Sequence, residues 1–600
     1  MVAIDRVAIV DRERCKGGSK CDYVCQRYCP GVKTGKETIQ IGEDSGKPVI
    51  SEELCSGCGI CAQKCPFDAI KIVRLPEELE EECVHRYEEG GFRLYRLPVP
   101  KPGKVTGLVG RNAIGKTTSA KILTGELKPN LGDPEADPDW DDVIQAFSGT
   151  ELQEHFRRLA DGELRAVLKP QYVEALPKVV KGRVREVLED VDELGVADEL
   201  AQRLGLDGAL NKDVSDLSGG ELQRVAIIAA LSREADFVVL DEPCSYLDVR
   251  ERLTLARLLR DIVEEREIPM LVIEHDLATL DYIADVVHVL YGKRGAYGIV
   301  SKPMGVGKGI NAYLKGYLEA ENVKFRDEEV VLPEKPADAE AGERETLVEY
   351  GRLVKEYDGE FRLIVEPGEI REGEIVGALG PNAIGKTTFV KLLAGVLEPT
   401  EGELDVDVKV SYKPQYLEVD SEEPVQVVLK RAAGDEWGSS WYRSNILEPL
   451  DLEYLLDRPL NELSGGELQR VAVAAALSRD ADLYLLDEPS AYLDVEERIN
   501  VARVIRRVIE AREAAAIVVD HDLLLLDYIS DRMMVFDGEP GREGRANPPE
   551  GKRKAMNRFL SELDVTYRRD PETRRPRANK PGSHRDREQK RRGEYFYESG

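Results

Sequence analysis

Two nine-residue stretches, GRNAIGKTT at Gly110–Thr118 and GPNAIGKTT at Gly380–Thr388, fit the G-x4-G-K-[ST] spacing of a phosphate-binding loop. Glycines let successive backbone N–H groups close on phosphate oxygens. Lys116 and Lys386 neutralise the β/γ charge, and Thr117 and Thr387 offer hydroxyls to Mg2+. Further on, LSGGELQRVA occurs twice, letter for letter, at Leu217–Ala226 and Leu463–Ala472. A Ser-Gly-Gly turn entering a helix presents unpaired N–H groups and the positive end of the helix dipole, which also suits a phosphate. One copy would read as helix punctuation. Here each copy is followed by an apolar run ending in Asp-Glu, at Asp241-Glu242 and Asp487-Glu488. Phe237–Leu240 is fit for a buried parallel strand. At its end Asp241 would hold hydrated Mg2+ and Glu242 would polarise water as general base, with Asp487 and Glu488 in the same roles. Eight of the ten cysteines fall within residues 15–65, so they form one chemical unit and not scattered disulfides.

The scaffold that positions these groups repeats. The ten-residue stretch (217 to 463), the aspartate (241 to 487) and a histidine (275 to 521) recur at an offset of 246. From Lys116 to Lys386 the offset is 270, and from Gln171 to Gln415 it is 244, so the first copy carries 26 extra residues (270 − 244) near 130–165. In that insert Asp137-Pro138 reads as an N-cap and first helical residue of a helix running toward Phe147. Ser148-Gly149 breaks it, and Thr150-x-x-Gln153 reads as a capping box opening a second helix through His155, Arg157 and Arg158. A protruding helix-loop-helix in one copy only suits a docking element; a neutral surface insertion is the plainer alternative. Val105–Val109 and Met270–Glu274 read as strands leading into the first phosphate loop and into His275.

At 600 residues the chain is too long for one core and divides into three or four domains at the usual ~100–200 residues each. No apolar run reaches the ~18–20 residues of a membrane helix, and the N-terminus lacks a signal-peptide pattern. A net charge of −30 argues against coating nucleic acid with the whole surface, while leaving local basic contacts open.

The front cysteines form two runs, Cys15-x5-Cys21-x3-Cys25-x3-Cys29-Pro and Cys55-x2-Cys58-x2-Cys61-x3-Cys65-Pro. The second matches the bacterial ferredoxin spacing for a 4Fe-4S cluster; the first is looser. In such two-cluster folds the cysteine before proline ligates the other cluster. The resemblance therefore implies Cys15, Cys21, Cys25 and Cys65 on one cluster and Cys29, Cys55, Cys58 and Cys61 on the other. Zinc is the alternative, disfavoured because structural zinc takes two ligand pairs separated by a longer stretch. Val7–Val10, Val49–Ile50 and Ile70–Val73 read as short strands beside these loops.

The duplicated LSGGELQRVA and its Asp-Glu partner resemble the signature of ATP-binding-cassette (ABC) ATPases, in tandem. The fold class is then α/β: two ABC-type nucleotide-binding domains of the P-loop NTPase class preceded by a two-cluster ferredoxin-like iron–sulfur domain. The expected boundaries are 1–82 for the iron–sulfur domain, 83–300 for the first cassette with its insert, 301–330 for a hinge, 331–538 for the second cassette, and 539–600 for a second hinge and basic tail. By the same resemblance Tyr87, Phe92, Tyr357 and Phe361 lie against adenine. Gly110, Asn112, Gly115 and Thr118, with Gly380, Asn382, Gly385 and Thr388, complete the phosphate loops. Gln171 and Gln415 contact Mg2+ and the attacking water, Asp248 and Asp494 end D-loops, and His275 and His521 sense the γ-phosphate. Ser218, Gly219, Gly220 and Glu221 would face the second nucleotide and Ser464, Gly465, Gly466 and Glu467 the first, so that neither half alone surrounds a γ-phosphate. Ala113 and Ala383 stand where such loops usually carry Gly and are expected at negative φ. Cys83 and Cys244 read as buried thiols.

Between the cassettes Ser301–Lys308 is rich in Gly and Pro, and a Glu-, Pro- and Ala-rich run continues to about Glu345. Tyr313, Leu314 and Tyr317 can pack, which makes this a hinge and not a flexible string. After Asp537 comes a basic segment with Lys552, Arg553, Lys554, Arg568, Arg569, Arg574, Arg575, Arg577, Lys590, Arg591 and Arg592. It reads as a solvated tail and a candidate for contact with a phosphate backbone.

The combination resembles subfamily E of the ABC proteins, the RNase L inhibitor homologues, over essentially the whole chain. That resemblance implies a soluble ribosome-recycling ATPase of an archaeal or eukaryotic cytoplasm, holding two 4Fe-4S clusters, ATP and Mg2+. It further implies work with release factor or Pelota-like proteins on terminated or stalled ribosomes, retention on the small subunit and its rRNA, no membrane partner, and a monomer closing on its own two cassettes. The alternative is an ATP-coupled electron-transfer protein using the clusters for redox.

Overall fold

The computed structural model describes residues 4–597 apart from 13, 43–45, 52–53, 77–81, 89, 327–328, 331–343, 358, 360, 405–406 and 416–420. Most of the Glu-, Pro- and Ala-rich run between the cassettes, and the boundary expected at 331, lie outside the described residues. The chain forms two compact units, a first of 1–246, 254–275 and 283–329, and a second of 247–253, 276–282 and 330–600.

The front of the first unit pairs strand Ile4–Val10 with Ile70–Pro76 antiparallel, and Ile39–Ile41 with Pro48–Ile50. Short helices Gly18–Cys21, Val24–Tyr28, Pro30–Lys33 and Ile60–Lys64 carry the cysteines over this base. Its small core joins Ala8, Val10, Ile39, Ile50 and Ile70 to Cys15, Cys25, Cys29 and Cys61. So few apolar side chains bury little surface, and cross-linking groups are the usual supplement in so small a domain.

Behind it stands a nine-stranded sheet. Its central strands, Val286–Lys293, Val105–Gly110, Met270–Ile273, Phe237–Asp241 and Ala166–Lys169, lie side by side in that order, all parallel. Every residue of Val105–Gly110 and Phe237–Asp241 is buried, as the continuous apolar runs require of strands covered on both faces. Parallel neighbours need helical crossovers, which Lys116–Leu123, Gly219–Leu231 and Val249–Arg266 help to provide. The second unit repeats the order with Arg532–Glu539, Ile375–Leu379, Ala515–Val519, Leu483–Asp487 and Val410–Lys413. The phosphate loops, Gln171 and Gln415, the Asp-Glu pairs and His275 and His521 thus follow the C-terminal ends of central strands, where open parallel sheets bind ligands.

The insert forms two helices, Trp140–Ala146 and Glu151–Ala160, with different details from those expected. Asp139, not Asp137, is the first N-cap, because Asp142 completes a reciprocal capping box with it. Thr150 is the second N-cap but makes no side-chain cap: its hydroxyl donates to Phe147 O, and Gln153 reaches back to Gly149 N. Nor does the pair simply protrude. Val143, Leu152 and Phe156 belong to the same core as Leu108, Phe237 and Val239.

The linker helix Val306–Lys315 buries Tyr313 and Leu314, whereas Tyr317 stays exposed and donates to Asn322 Oδ1. The basic segment is not a solvated tail. It folds as helix Lys552–Glu562, a small sheet of Tyr567–Arg569, Pro576–Ala578 and Phe596–Tyr597, and helix His584–Arg592. Lys552 and Arg575 are buried, because acidic groups elsewhere in the second unit take their charges. Arg553, Lys554, Arg591 and Arg592 do remain at the surface.

Candidate functional site: two phosphate loops with their carboxylates and a cysteine-lined front

In each cassette the phosphate loop turns from strand into helix on a glycine at φ near 100°, Gly115 (98°) and Gly385 (100°). A side chain there would meet Phe92 or Leu363 within 3 Å, so only glycine lets the loop pack this closely. Ala113 and Ala383 depart from expectation: they adopt φ 56° and 54°, the left-handed region, which the loop's curl around its central N–H groups demands. Lys116 Nζ curls back onto the loop, donating to Gly110 O (2.9 Å) and Arg111 O (2.7 Å); Lys386 does the same to Gly380 O (2.9 Å) and Pro381 O (2.6 Å).

Thr117 Oγ1 donates to Asp241 Oδ2 at 2.8 Å and Thr387 Oγ1 to Asp487 Oδ2 at 2.7 Å, so the hydroxyl and carboxylate that could hold Mg2+ already converge. Burial and the adjacent Glu242 push Asp241 up to about 6. Asp487 is raised to about 6 by burial and by Glu488, against the Thr387 hydrogen bond. A bound dication would cancel that penalty. Gln171 Nε2 donates to Glu242 Oε1 (2.6 Å) and Gln415 Nε2 to Glu488 Oε1 (2.7 Å). Across the same carboxylate, His275 Nε2 lies 3.3 Å from Glu242 Oε1, and His521 Nε2 3.3 Å from Glu488 Oε1. Burial would raise Glu488, but His521, Lys386 and Lys413 outweigh it and hold the group below the usual carboxylate range. It is therefore ionised at neutral pH, as a water-polarising base must be.

Reasoning from sequence missed two supports of this centre. Lys169 Nζ donates to Asp241 O (3.0 Å) and Glu242 O (3.3 Å), and Lys413 Nζ to Asp487 O (2.8 Å) and Glu488 O (3.2 Å). Burial brings both lysines down to about 8 despite the neighbouring carboxylates. Their signal was the repeated Lys-Pro-Gln-Tyr at 169–172 and 413–416. Within the duplicated ten residues, Gln223 and Gln469 donate to Glu242 O and Glu488 O at 2.7 and 2.6 Å. The ten-residue stretch thus also braces the Asp-Glu peptide of its own cassette.

Ser218 and Ser464 cap their helices through reciprocal boxes with Glu221 and Glu467. Gly219 and Gly220, like Gly465 and Gly466, form the first turn, with Gly219 and Gly465 set against the rings of Tyr246 and Tyr492. Tyr87 stands half exposed with its hydroxyl 3.0 Å from Thr118 Oγ1, and Phe92 lies beneath it against Gly115. Tyr357 and Phe361 keep the same relation, Tyr357 exposed and Phe361 against Gly385, and Thr388 holds the place of Thr118. These rings form an open apolar shelf beside each phosphate loop, suited to a nucleobase. Asp494 caps helix Val495–Arg512 through Glu497, and Asp248 pairs likewise with Glu251. Within the second unit Asp248 Oδ2 also accepts from Asn382 N at 2.7 Å.

At the front, Cys29, Cys55, Cys58 and Cys61 line one pocket. Cys15, Cys21, Cys25 and Cys65 lie close enough to act on one another's charge. The two sets are those implied by the ferredoxin spacing. Burial pushes Cys25 up to about 11 and Cys61 up to about 12, so each needs a cationic group to exist as a ligating thiolate at neutral pH. The donor set fits two four-thiolate clusters. Cys244 is buried; Cys83 is only half-buried, beside Gly132.

An ABC transporter family model matches residues 100–245 and 367–491. A model described as a possible Fer4-like domain in RNase L inhibitor matches 5–37, and a 4Fe-4S binding domain matches 48–71. ABC transporter E family member 1 of Arabidopsis thaliana is 44% identical over 599 residues, covering 99% of both chains. The chain belongs to the ABC E, or RNase L inhibitor, family. Translation initiation factor RLI1 of Saccharomyces cerevisiae is 43% identical over 99% of this chain and 98% of its own. Among solved structures, an archaeal ABCE1 described with Pelota as ribosome-bound superposes over 100% of both chains, with TM-score 0.93 and 55% identity. An archaeal ribosome recycling factor aABCE1 in complex with ribosomal stalk protein aP1 covers 87% of this chain and 100% of its own, with TM-score 0.82 and 56% identity. The chain is an ABC-type ATPase with a ferredoxin-like iron–sulfur domain. Among the described residues no helix is long and apolar enough to cross a membrane.

Proposed function

We propose that this protein is an ATP-driven ribosome recycling factor of the cytoplasm, which splits ribosomes into subunits after termination or stalling and stays on the small subunit. What carries this reading is the full-length likeness to an ABCE1 described as ribosome-bound with Pelota, at 55% identity. A release factor or Pelota-like protein is the expected partner, and the chain acts as a monomer.

Two complete sets of ATPase residues set the mechanism. In each, the phosphate loop and its lysine take the β- and γ-phosphates, and the threonine and aspartate, with Gln171 or Gln415, would hold Mg2+, which would neutralise phosphate charge there. Glu242 or Glu488 draws a proton from the attacking water, while His275 or His521 sits across the carboxylate toward the γ-phosphate. The Ser-Gly-Gly helix starts at Ser218 and Ser464 would each complete the opposite nucleotide site, so that ATP favours closure and hydrolysis releases it. Swinging a clamp from about 1:99 to 99:1 takes ~5.5 kcal/mol of differential binding, within reach of two triphosphates each held by many contacts. Tethering in one chain keeps the partner cassette at high effective concentration. Two 4Fe-4S clusters held by the eight front cysteines would cross-link the short helices and stiffen that domain as a lever.

Co-sedimentation with ribosomal subunits tests this. With a non-hydrolysable ATP analogue the protein should pellet with small subunits. Glu242→Gln and Glu488→Gln should each remain there with ATP itself. No retention on small subunits in either experiment rejects the reading.

A further inference from the structure

The switch histidine of each cassette is bracketed by two buried carboxylates, and both grip the D-loop. Before His275, Glu274 Oε2 accepts from Cys244 N at 3.1 Å and Oε1 from His275 N at 2.7 Å. Before His521, Asp520 Oδ2 accepts from Ser490 N at 3.1 Å, and Oδ1 accepts from Ser490 Oγ at 2.7 Å and Asp522 N at 2.9 Å. Cys244 and Ser490 lie two residues past the catalytic glutamates, where the D-loop begins. After each histidine, Asp276 Oδ2 takes Arg252 Nη1 at 2.6 Å and Asp522 Oδ2 takes Arg498 Nη1 at 2.9 Å. The same arginines donate through Nε to the D-loop carbonyls Leu247 O and Leu493 O, both at 2.8 Å. The loop is therefore fastened at its start by the acid before the histidine and at its end by the acid after it.

We infer that Glu274 and Asp520 are positioning residues for ATP hydrolysis, fastening the switch-histidine loop to the D-loop so that the two move as one piece. A histidine that shifts when the γ-phosphate leaves would then carry the D-loop with it. The two copies are fastened unequally. Asp520 is one methylene shorter and gains the Ser490 hydroxyl, whereas Glu274 is longer and faces Cys244, whose thiol is a weaker donor than a hydroxyl. Each acid is matched to its partner, so length and hydroxyl must be exchanged together.

This inference rests on the proposed hydrolytic roles of Glu242 and Glu488, which their Gln variants test separately through lost ATP turnover. The fastening is tested by a double-mutant cycle on steady-state ATP hydrolysis. Glu274→Asp alone should remove most of the first site's turnover, up to about half of the total kcat, with KM for ATP nearly unchanged, because the D-loop is mispositioned while the phosphate loop is intact. Glu274→Asp with Cys244→Ser recreates the second copy's pairing and should restore most of kcat. Ser490→Ala, a small change that folding tolerates, should lower the second site's share of the turnover, taking up to about half of the total kcat on its own. A double variant no better than Glu274→Asp, or a Ser490→Ala enzyme with wild-type kcat, overturns the inference. So does a loss appearing in KM alone.

Discussion

Glu242 and Glu488 stand at φ 47° and 49°, and the D-loop tyrosines Tyr246 and Tyr492 at 64° and 63°. With Ala113 and Ala383 these are three of the left-handed non-glycine positions of each cassette, and these three lie in or beside its phosphate-loop and Asp-Glu motifs. Such strain persists only where the surroundings enforce it. For the glutamates the enforcement is visible: Lys169 and Gln223 hold the Glu242 carbonyl, and Lys413 and Gln469 that of Glu488. The alanines carry no such chemistry, and the left-handed region costs an L-residue roughly 1–2 kcal/mol. Ala113→Gly should relieve that, less the ~0.5–1 kcal/mol by which glycine's freedom favours the unfolded chain. A rise of about 1–3 °C in the first cassette's melting transition is expected by calorimetry. Ala120→Gly, inside helix Lys116–Leu123, should lower it, since there the same replacement loosens the helix by ~1 kcal/mol and removes a buried methyl besides. Equal effects from the two would mean that the φ of Ala113 carries no strain.

At the scale of elements, the insert is as much core as appendage. Phe156 is fully buried, its ring 4.8 Å from Phe147 and near Trp140, while His155 bonds Leu123 O and sets its ring edge-on to Phe237. Removing the helices would uncover the apolar face of the first cassette's sheet. Phe156→Ala should cost ~3–5 kcal/mol, read as a large drop in melting temperature, whereas Glu154→Ala and Arg157→Ala, on the exposed side, should leave it within ~0.5 kcal/mol. A docking role for the insert is therefore tested by surface substitutions and not by deletion; a mild Phe156→Ala would return it to the status of a free appendage. This shows where sequence was readable. The helices announced themselves by capping residues and a break at Ser148-Gly149, but the pattern that buries Val143, Leu152 and Phe156 depends on strands on both sides of the insert, at Leu108, Phe237 and Val239. The phosphate loops, the Asp-Glu pairs and the cysteine sets were legible because their chemistry needs fixed types at fixed spacing. Lys169 and Lys413 were not, because a lysine before a proline has no chemistry until a buried strand end lies beside it.

At the scale of the molecule, the C-terminal segment shows why a run of basic residues misleads. Within the second unit Arg577 takes Asp281 with two bonds, Nε to Oδ2 at 2.6 Å and Nη2 to Oδ1 at 3.0 Å, and Arg575 Nη1 adds a third at 3.2 Å. Arg569 grips Asp527, and Lys552 Nζ donates to Asp527 O at 2.8 Å. Asp281 and Asp527 are equivalent residues, 246 apart, each on the helix that follows His275 or His521. The partner of Arg575 is 294 residues distant, so nothing local marks that arginine as internal. The basic residues accordingly divide into two groups with opposite signatures. Asp281→Asn leaves Arg575, only 1% exposed, without its counter-charge, and breaking a buried pair from one side costs ~3–5 kcal/mol. Its melting temperature should fall at any salt concentration, because the pair is shielded from ions. Lys554→Gln with Arg591→Gln and Arg592→Gln removes exposed charges and should leave melting unchanged. If these residues meet rRNA phosphates, as the proposed function requires of a chain with net charge −30, the triple variant should bind small subunits more weakly at low salt. The slope of log affinity against log salt should then become shallower by roughly 0.7–0.9 for each phosphate no longer neutralised. An unchanged slope would place the rRNA-binding surface elsewhere on the protein and leave these surface charges no part in it.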